Sequence, residues 1–233
     1  AVAVYLEQNK KELYDISYNT GATKPDSMID IDGGITTMLV FASKGRREMP
    51  DGKIYVDGAV EELSRDGTFK GIHIATPLLG VAVHINAFNF PVWGMLEKLA
   101  PSWLAGVPVI VKPASQTSYL TEAVVKLIDQ SGIVPKGAIQ MIGGAVGNLF
   151  DYLTAQDVVS FTGSEATANK LRSHPNILKN SIRFIGEQDS LNGTILGQDI
   201  ITEDQDFEVF IKEIIREMTV KAGQKCTAVR RII

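Results

Sequence analysis

The order of hydrophobic and polar residues predicts a helical start to the chain. Over residues 1–19, apolar positions at helical spacing surround a polar stretch, which predicts an amphipathic helix that ends near Gly21. Pro25, followed by aspartate and serine, begins a second predicted helix that continues to about residue 43. The chain therefore opens with two helices before any strand is expected.

A polar, turn-rich stretch separates these helices from the first predicted strands. Residues 45–52, with two glycines and a proline, are predicted to form a loop. Residues 53–58 and 68–77 alternate polar and apolar side chains, and this pattern is typical of two antiparallel strands.

From residue 79 onward, short apolar runs alternate with stretches long enough for helices, such as 93–105 and 116–131. Strands that are apolar on both faces are typical of a parallel sheet covered by helices. The rhythm predicts an α/β fold with a doubly wound parallel sheet, although another α/β arrangement stays open because the strand order cannot be inferred. The predicted strands are 79–86, 107–111, 138–142, 158–161, 182–185 and 193–197.

The last predicted helix has the clearest periodicity in the chain. Its apolar residues recur at intervals of three and four, while its charged residues form a face that we expect to be solvated. The apolar positions are Phe207, Phe210, Ile211, Ile214, Ile215 and Met218.

Composition narrows the class of protein. The 233 residues are 45% hydrophobic and 21% charged, which disfavours disorder, and a net charge of −4 disfavours nucleic acid or an anionic membrane as the main partner. Three scattered histidines and one cysteine exclude a disulfide framework and offer no metal-ligand spacing. Without an apolar span or a signal peptide we expect a cytoplasmic protein, and the two ends resemble cuts through a longer chain.

The single cysteine, Cys226, is the first candidate for chemistry. A lone cysteine is most often a small buried hydrophobic residue, and composition alone favours that interpretation. The polar, glycine-containing sequence KAGQKCTA around it is not typical of a core segment. A nearby cation or a following helix N-terminus would favour the nucleophilic thiolate.

Four further candidate sites lie at the ends of predicted strands. Asn89 offers amide donors for an oxyanion, Lys112 could reach a phosphate or ribose, and the Gly163-Ser164 turn before a helix could bind phosphate. Glu187 could act as a general base. Each has an ordinary alternative as a turn, loop or surface residue. Their alignment at carboxyl ends of strands, where α/β folds bind ligands, favours a shared site.

These residues together resemble the aldehyde dehydrogenase superfamily. FNFP resembles its catalytic asparagine motif, VKPAS and FTGS its cofactor motifs, the segment at Glu187 its glutamate motif, and GQKC its nucleophile motif. All five occur in the family's order across essentially the whole chain. The resemblance implies oxidation of an aldehyde to an acid with a nicotinamide dinucleotide as cofactor.

The resemblance also implies a role for each residue. Cys226 would attack the aldehyde, Asn89 with the Cys226 backbone N–H would hold the oxyanion, and Glu187 would activate water to hydrolyse the thioester. The QD after Glu187 replaces the family's glycine-rich continuation and leaves the pose of Glu187 open. If turnover is absent, the alternative is a dinucleotide-binding module; CoA-acylating chemistry is disfavoured by the presence of Glu187.

On the cofactor side, the resemblance implies that Lys112 contacts the adenosine ribose and Ser164 the pyrophosphate, with Phe88, Gly163 and Ser115 as further cofactor-binding residues. Many family members that use NAD carry a glutamate three residues after this lysine, where this chain has Ser115. A glutamate would repel a 2′-phosphate, so its absence favours NADP, with NAD still possible.

Domain organisation follows from the same resemblance. Residues 1–52 and 79–187 would form a Rossmann-like NAD(P)-binding domain, 53–78 a β-hairpin for homo-oligomerisation, and 188–233 the beginning of an α/β catalytic domain. Most of that catalytic domain would be missing, so we expect the 233 residues alone to be inactive. No metal is implied.

The longer segments indicate a branch within the family. VHINAFNFPVWG, KPASQTSYLT, EQDSLN and KAGQKCTAVRR are similar to the branch that acts in phenylacetate degradation, with semialdehyde dehydrogenases of benzoyl-CoA degradation as the alternative. This implies a CoA-linked semialdehyde as substrate and, in the first branch, a downstream hydratase domain.

Overall fold

The computed structural model describes residues 1–200, 203 and 205–233, and the strands among them form three sheets. Residues predicted as strands 53–58 and 68–77 pair antiparallel, as expected. The strands are β1 (Tyr55–Glu62), β2 (Lys70–Ala75), β3 (Ala82–Ile85), β4 (Val109–Lys112), β5 (Ile139–Met141), β6 (Val158–Gly163), β7 (Arg183–Gln188), β8 (Asn192–Thr194) and β9 (Val229–Ile232).

The helices cover both faces of the largest sheet. Thr23 begins the longest helix with a capping box, in which its side chain and that of Asp26 satisfy each other's backbone N–H. The helices are α1 (Val2–Asn9), α2 (Lys11–Ser17), α3 (Lys24–Glu48), α4 (Trp93–Leu104), α5 (Ser118–Gln130), α6 (Glu165–Arg172), α7 (Pro175–Lys179) and α8 (Gln205–Thr219).

The largest sheet has five parallel strands in the order β5-β4-β3-β6-β7. Within this sheet, β3 is the first strand in sequence and lies at the centre. β4 and β5 follow on one side of β3, and β6 and β7 lie on its other side. This confirms the predicted doubly wound parallel sheet. In such a sheet the connections after β3 and β6 leave in opposite directions and open a crevice at the carboxyl ends of the strands.

Two hydrophobic cores explain the continuous apolar runs. All four residues of β3 are buried. Ala82 packs in the core under α3, α4 and α5, whereas Val83 packs in the opposite core with α6 and α7. A strand buried on both faces favours apolar residues, and three of the four residues of β3 are apolar; the buried exception, His84, contacts the Ser102 hydroxyl through Nε2 at 3.1 Å.

Two sequence expectations need correction, and the last helix is less buried than its apolar face alone would indicate. α3 continues to Glu48, through residues that were predicted to form a loop. A Cβ at Gly45 would lie 2.5 Å from the Leu104 side chain, so glycine at this position allows α3 to pack closely on α4. The run at 193–197 contributes to β8, which pairs with β9 in a separate parallel sheet. On α8 only Ile214 is buried, because the described part of the chain packs little against that helix.

No helix in the described part of the chain combines the length and the apolar character needed to cross a membrane.

Close packing of α3 on α4 gives a prediction for stability. A Cβ at Gly34 would lie 2.8 Å from the Trp93 Cα, a backbone atom that cannot yield. We expect Gly34→Ala to destabilise the protein by about 1–3 kcal/mol. Gly94→Ala, in α4 with nothing within 4 Å of its Cβ, is the matched control and should be neutral or stabilising. Thermal unfolding of the two variants checks this, and equal midpoints would contradict it.

Candidate active site

Two cavities meet at the carboxyl edge of the five-stranded sheet. The first has a volume of about 370 Å³ and lies beside α4 and α8, with Phe90 and Trp93 among its lining residues. The second, of about 530 Å³, lies over the turn between β6 and α6 and includes Ser164. The residues that line both are Ala87, Asn89, Thr162, Glu187, Lys225 and Cys226.

The segment before Cys226 reverses the chain between α8 and β9. Lys221 and Ala222 have φ of 54° and 53°, in the left-handed region that non-glycine residues rarely adopt. Asn192 donates from Nδ2 to the carbonyls of Cys226 at 2.5 Å and Ala228 at 3.1 Å. These contacts fix the peptide of an exposed thiol.

The expected electrostatic support for Cys226 is only partly present. A strand, β9, follows the cysteine, so of the two features that would favour the thiolate, a following helix N-terminus is not present among the described residues. The neighbouring cation, Lys225, forms an ion pair with Glu217, and its side chain is only 10% exposed. The hydrogen bond from Lys225 holds the pKa of Glu217 below its usual range.

Asn89 joins two loops that are far apart in sequence. It follows β3 by four residues, and its Nδ2 donates to the Gln224 carbonyl at 3.0 Å, two residues before Cys226. The amide is thereby fixed to the segment that carries Cys226, and both residues line the same two cavities.

Glu187 lies near the end of β7, opposite Thr162 of β6. The Thr162 hydroxyl donates to Glu187 Oε2 at 3.4 Å. Two residues later Asp189 adopts φ of 46°, and its carboxylate accepts from the Glu165 N–H at the start of α6. Of the QD sequence that left the pose of Glu187 open, Gln188 therefore ends β7, and Asp189 joins the end of this strand to the start of α6 by a hydrogen bond.

Three of the predicted cofactor residues line the second cavity. Phe88 is half exposed there, and Ser164 caps α6 by accepting from the Thr167 N–H. A Cβ at Gly163 would lie 2.6 Å from the Phe161 ring, so only glycine fits this turn without a shift.

The other two cofactor candidates lie to the side. Lys112 ends β4, and its Nζ donates to the Pro113 carbonyl at 2.9 Å. Ser115 is exposed in the short helical turn that follows. Neither residue lines the two cavities. The structure thus brings Asn89, Glu187 and Cys226 together, whereas Lys112 and Ser115 lie outside the lining of the two cavities.

A nicotinamide dinucleotide is compatible with the second cavity. Asn86, at the end of β3, has both side-chain amide atoms buried without a hydrogen-bond partner among the described residues. It lines the cavity together with the glycine and serine turn at α6, where the Asp189 carboxylate accepts from the Glu165 N–H and Ser164 accepts from the Thr167 N–H. By contrast, the described residues contain no cluster of side chains suited to a metal ion.

Sequence reasoning missed three residues that organise this site: Asn192, which holds the Cys226 peptide, and two aspartates of α3. Asp30 is buried and accepts from the Val92 and Trp93 N–H groups at the start of α4. Burial raises its pKa to about 6, against the opposing effects of the Trp93 N–H and Lys221. The aspartate pair at 26 and 30 was a detectable signal, because residues four apart share one helix face.

Comparisons with a family model and with individual relatives point to the same family. The model described as "Aldehyde dehydrogenase family" matches residues 1–233. A 3,4-dehydroadipyl-CoA semialdehyde dehydrogenase from Aromatoleum evansii is 47% identical over 100% of this chain and 45% of its own. The chain thus spans about half the length of the curated relatives it matches.

Solved structures agree on the fold. A betaine aldehyde dehydrogenase from Staphylococcus aureus in complex with NAD+ superposes with a TM-score of 0.81 at 25% identity, over 99% of this chain and 43% of its own. A succinic semialdehyde dehydrogenase from Streptococcus pyogenes in complex with NADP+ gives a TM-score of 0.80 at 19% identity, over 99% of this chain and 47% of its own.

Proposed function

We propose, because the chain belongs to the aldehyde dehydrogenase family, that the full-length protein oxidises an aldehyde to a carboxylic acid. One observation carries the proposal: Cys226, Asn89 and Glu187 all lie at the boundary between the two cavities. The first cavity would admit the aldehyde and the second would admit the dinucleotide, so the thiol stands where the two reactants meet.

The first half of the reaction is nucleophilic attack. The Cys226 sulfur adds to the aldehyde carbon and forms a thiohemiacetal, and the aldehyde oxygen becomes an oxyanion. The Asn89 amide, held 3.0 Å from the Gln224 carbonyl, presents its remaining N–H to that oxygen together with the Cys226 backbone N–H. Phe88, Gly163 and Ser164 would hold the dinucleotide, which would supply the acceptor for the hydride that leaves the thiohemiacetal carbon.

The second half is hydrolysis of the resulting thioester. Glu187 takes a proton from water, and the water oxygen attacks the acyl carbon. The carbon–sulfur bond breaks, the carboxylic acid leaves and the Cys226 thiolate is restored. The Thr162 hydroxyl, 3.4 Å from Glu187 Oε2, orients the carboxylate for this role.

For the cofactor we propose NADP, with NAD as the alternative. Phe88, Gly163 and Ser164 would contact its nicotinamide and pyrophosphate parts, and Lys112 would turn from Pro113 to its ribose. Ser115 leaves room for a 2′-phosphate without an opposing charge, and relatives include a D-glyceraldehyde dehydrogenase (NADP(+)).

A charge at residue 115 tests the cofactor proposal. We expect Ser115→Glu to lower kcat/KM for NADP by about tenfold or more, while NAD is little affected, because a carboxylate repels the 2′-phosphate. Ser118→Glu, in the first turn of the neighbouring α5, is the matched control for added charge. An unchanged ratio of NADP to NAD activity in Ser115→Glu would contradict the assignment.

For the substrate we propose a CoA-linked semialdehyde from aromatic-acid degradation. The relative named for 3,4-dehydroadipyl-CoA semialdehyde supports a CoA-linked substrate, and we propose phenylacetate degradation as the route, with benzoyl-CoA degradation as the alternative. We further propose that 1–52 and 79–187 bind the dinucleotide, that 188–233 begin the catalytic domain and that 53–78 mediate homo-oligomerisation. Exposed Phe69 and Ile74 on the hairpin support the last point.

The test is formation of NADPH or NADH by the full-length protein with free and CoA-linked semialdehydes. Turnover that is faster with 3,4-dehydroadipyl-CoA semialdehyde than with its free counterpart is expected. Turnover only with free aldehydes would refute the CoA assignment. Dinucleotide binding without turnover of any aldehyde would refute the enzymatic proposal and leave a binding module.

A further inference from the structure

Helix α3 contacts both loops that carry the reactive groups. The helix itself contributes none of the residues that line both cavities. One loop, residues 89–93, carries Asn89. The other, residues 220–226, carries Cys226. Two aspartates one helical turn apart, Asp26 and Asp30, each accept hydrogen bonds from the backbone of one loop. The two loops are separated by more than a hundred residues in sequence, and a shared support would keep them in register.

Asp30 holds the Asn89 loop. Its Oδ1 accepts from the Trp93 N–H at 2.8 Å and from the Val92 N–H at 3.2 Å, the free donors at the beginning of α4. The side chain is 2% exposed, so these bonds are formed without competition from water. A buried carboxylate that is satisfied by backbone donors fixes the position of the segment just after Asn89.

Asp26 holds the Cys226 loop. One carboxylate oxygen accepts from Thr23 in the capping box of α3, and the other accepts from the Lys221 N–H at 3.0 Å. These bonds hold the pKa of Asp26 below its usual value, although its partial burial acts in the opposite direction. Lys221 is one of the left-handed residues that turn the chain toward Cys226.

Two direct contacts also join the two loops to each other. The Lys221 ammonium lies 4.7 Å from the centre of the Phe90 ring, in cation–π geometry, and Asn89 donates to the Gln224 carbonyl at 3.0 Å. Asp30 and Asn89 line a further cavity, and the other charged residues that line it are Asp26 and Lys221. The two loops therefore contact each other at two points and contact α3 at two more.

We propose that Asp30 and Asp26 are positioning residues, which set the distance between the Asn89 amide and the Cys226 thiol by holding both loops on α3. The proposal rests on the proposed function for its kinetic consequence. Asp30 touches neither substrate nor cofactor in this scheme and acts through Asn89. A small displacement of an oxyanion donor has a large kinetic effect, because its stabilisation depends on geometry in the transition state.

The kinetic test uses the full-length protein. We expect Asp30→Ala to lower kcat by about ten- to a hundredfold with little change in KM for the aldehyde. Asp30→Asn, which keeps one acceptor oxygen, should recover most of that loss. In an Asn89→Ala background, Asp30→Ala should have no further effect on kcat. Multiplicative losses in the double variant, or wild-type kcat in Asp30→Ala, would overturn the proposal.

A second readout does not depend on turnover. Hydrogen exchange should become faster in 89–93 for Asp30→Ala and in 220–226 for Asp26→Ala. Asp32→Ala is the matched control, because Asp32 lies on the same helix but binds Lys10 and Tyr14 instead, and should leave both loops and kcat unchanged. Unchanged exchange in the two test variants overturns the positioning role even where the enzyme is active.

If the wild-type protein turns over no aldehyde, the proposed function fails, and the exchange result alone decides whether α3 holds the loops. If Asp30→Ala does not fold, the partly exposed Asp26 carries the same test for the Cys226 loop, with exchange in 220–226 and kcat measured together.

Discussion

Cys226→Ala in the full-length protein is expected to lower kcat by on the order of 10⁴-fold or more, because it removes the sulfur that forms both the thiohemiacetal and the thioester in the proposed mechanism. The sulfur is the only thiol in these 233 residues. Formation of NADPH with a CoA-linked semialdehyde, followed by absorbance, measures the loss directly. Both the burst and the steady-state phase should disappear, since the thiohemiacetal precedes hydride loss.

The control for Cys226→Ala is dinucleotide affinity. The thiol lines the second cavity only at its edge, so the Kd for the dinucleotide should stay within about threefold of wild type. Ser173→Ala, at an exposed position outside the lining of both cavities, provides a control variant that should retain turnover. Aldehyde oxidation that survives in Cys226→Ala would contradict the covalent mechanism.

Glu187→Gln is expected to separate the two halves of the reaction. Glutamine can still accept from the Thr162 hydroxyl, but it cannot take a proton from water. We expect steady-state kcat to fall by about 10²–10⁴-fold, while one equivalent of reduced dinucleotide per site still forms in the first turnover. Rapid-mixing absorbance and mass spectrometry of the intact protein would detect the burst and the trapped acyl group.

Glu165→Gln is the matched control for that experiment, because Glu165 begins α6 and lies outside the lining of both cavities. It should behave as wild type. If Glu187→Gln loses the burst together with turnover, the carboxylate acts before the thioester forms. A wild-type steady state would show that another group activates the water.

Features dictated by hydrophobic pattern could be predicted from the sequence. The apolar runs became the central strands, since a strand such as β3, which is buried on both faces, favours apolar residues at nearly every position. Because parallel strands share one carboxyl edge, the pattern also indicated that Asn89 and Glu187 would lie near each other.

Features that depend on tertiary contact could not be predicted in this way. Gly45 resembles a loop residue, but it packs on Leu104 and the helix runs through it. Asn192 resembles a turn residue, although it holds the peptide of Cys226 from 34 residues away. Periodicity on α8 predicted an apolar face correctly, but it could not indicate how little of the described chain covers that face.

The left-handed pair Lys221 and Ala222 has a consequence for protein engineering. Each non-glycine residue in this region costs on the order of 1 kcal/mol, so selection for heat resistance alone would favour glycine or asparagine at both positions. The two positions are not equivalent. Ala222 is exposed, whereas Lys221 also reaches Phe90. Thermostable variants of this protein should therefore accept substitution at Ala222 more readily than at Lys221. At Lys221, a substitution that raises the melting temperature would also remove the contact with Phe90 and make the loop of Cys226 more mobile.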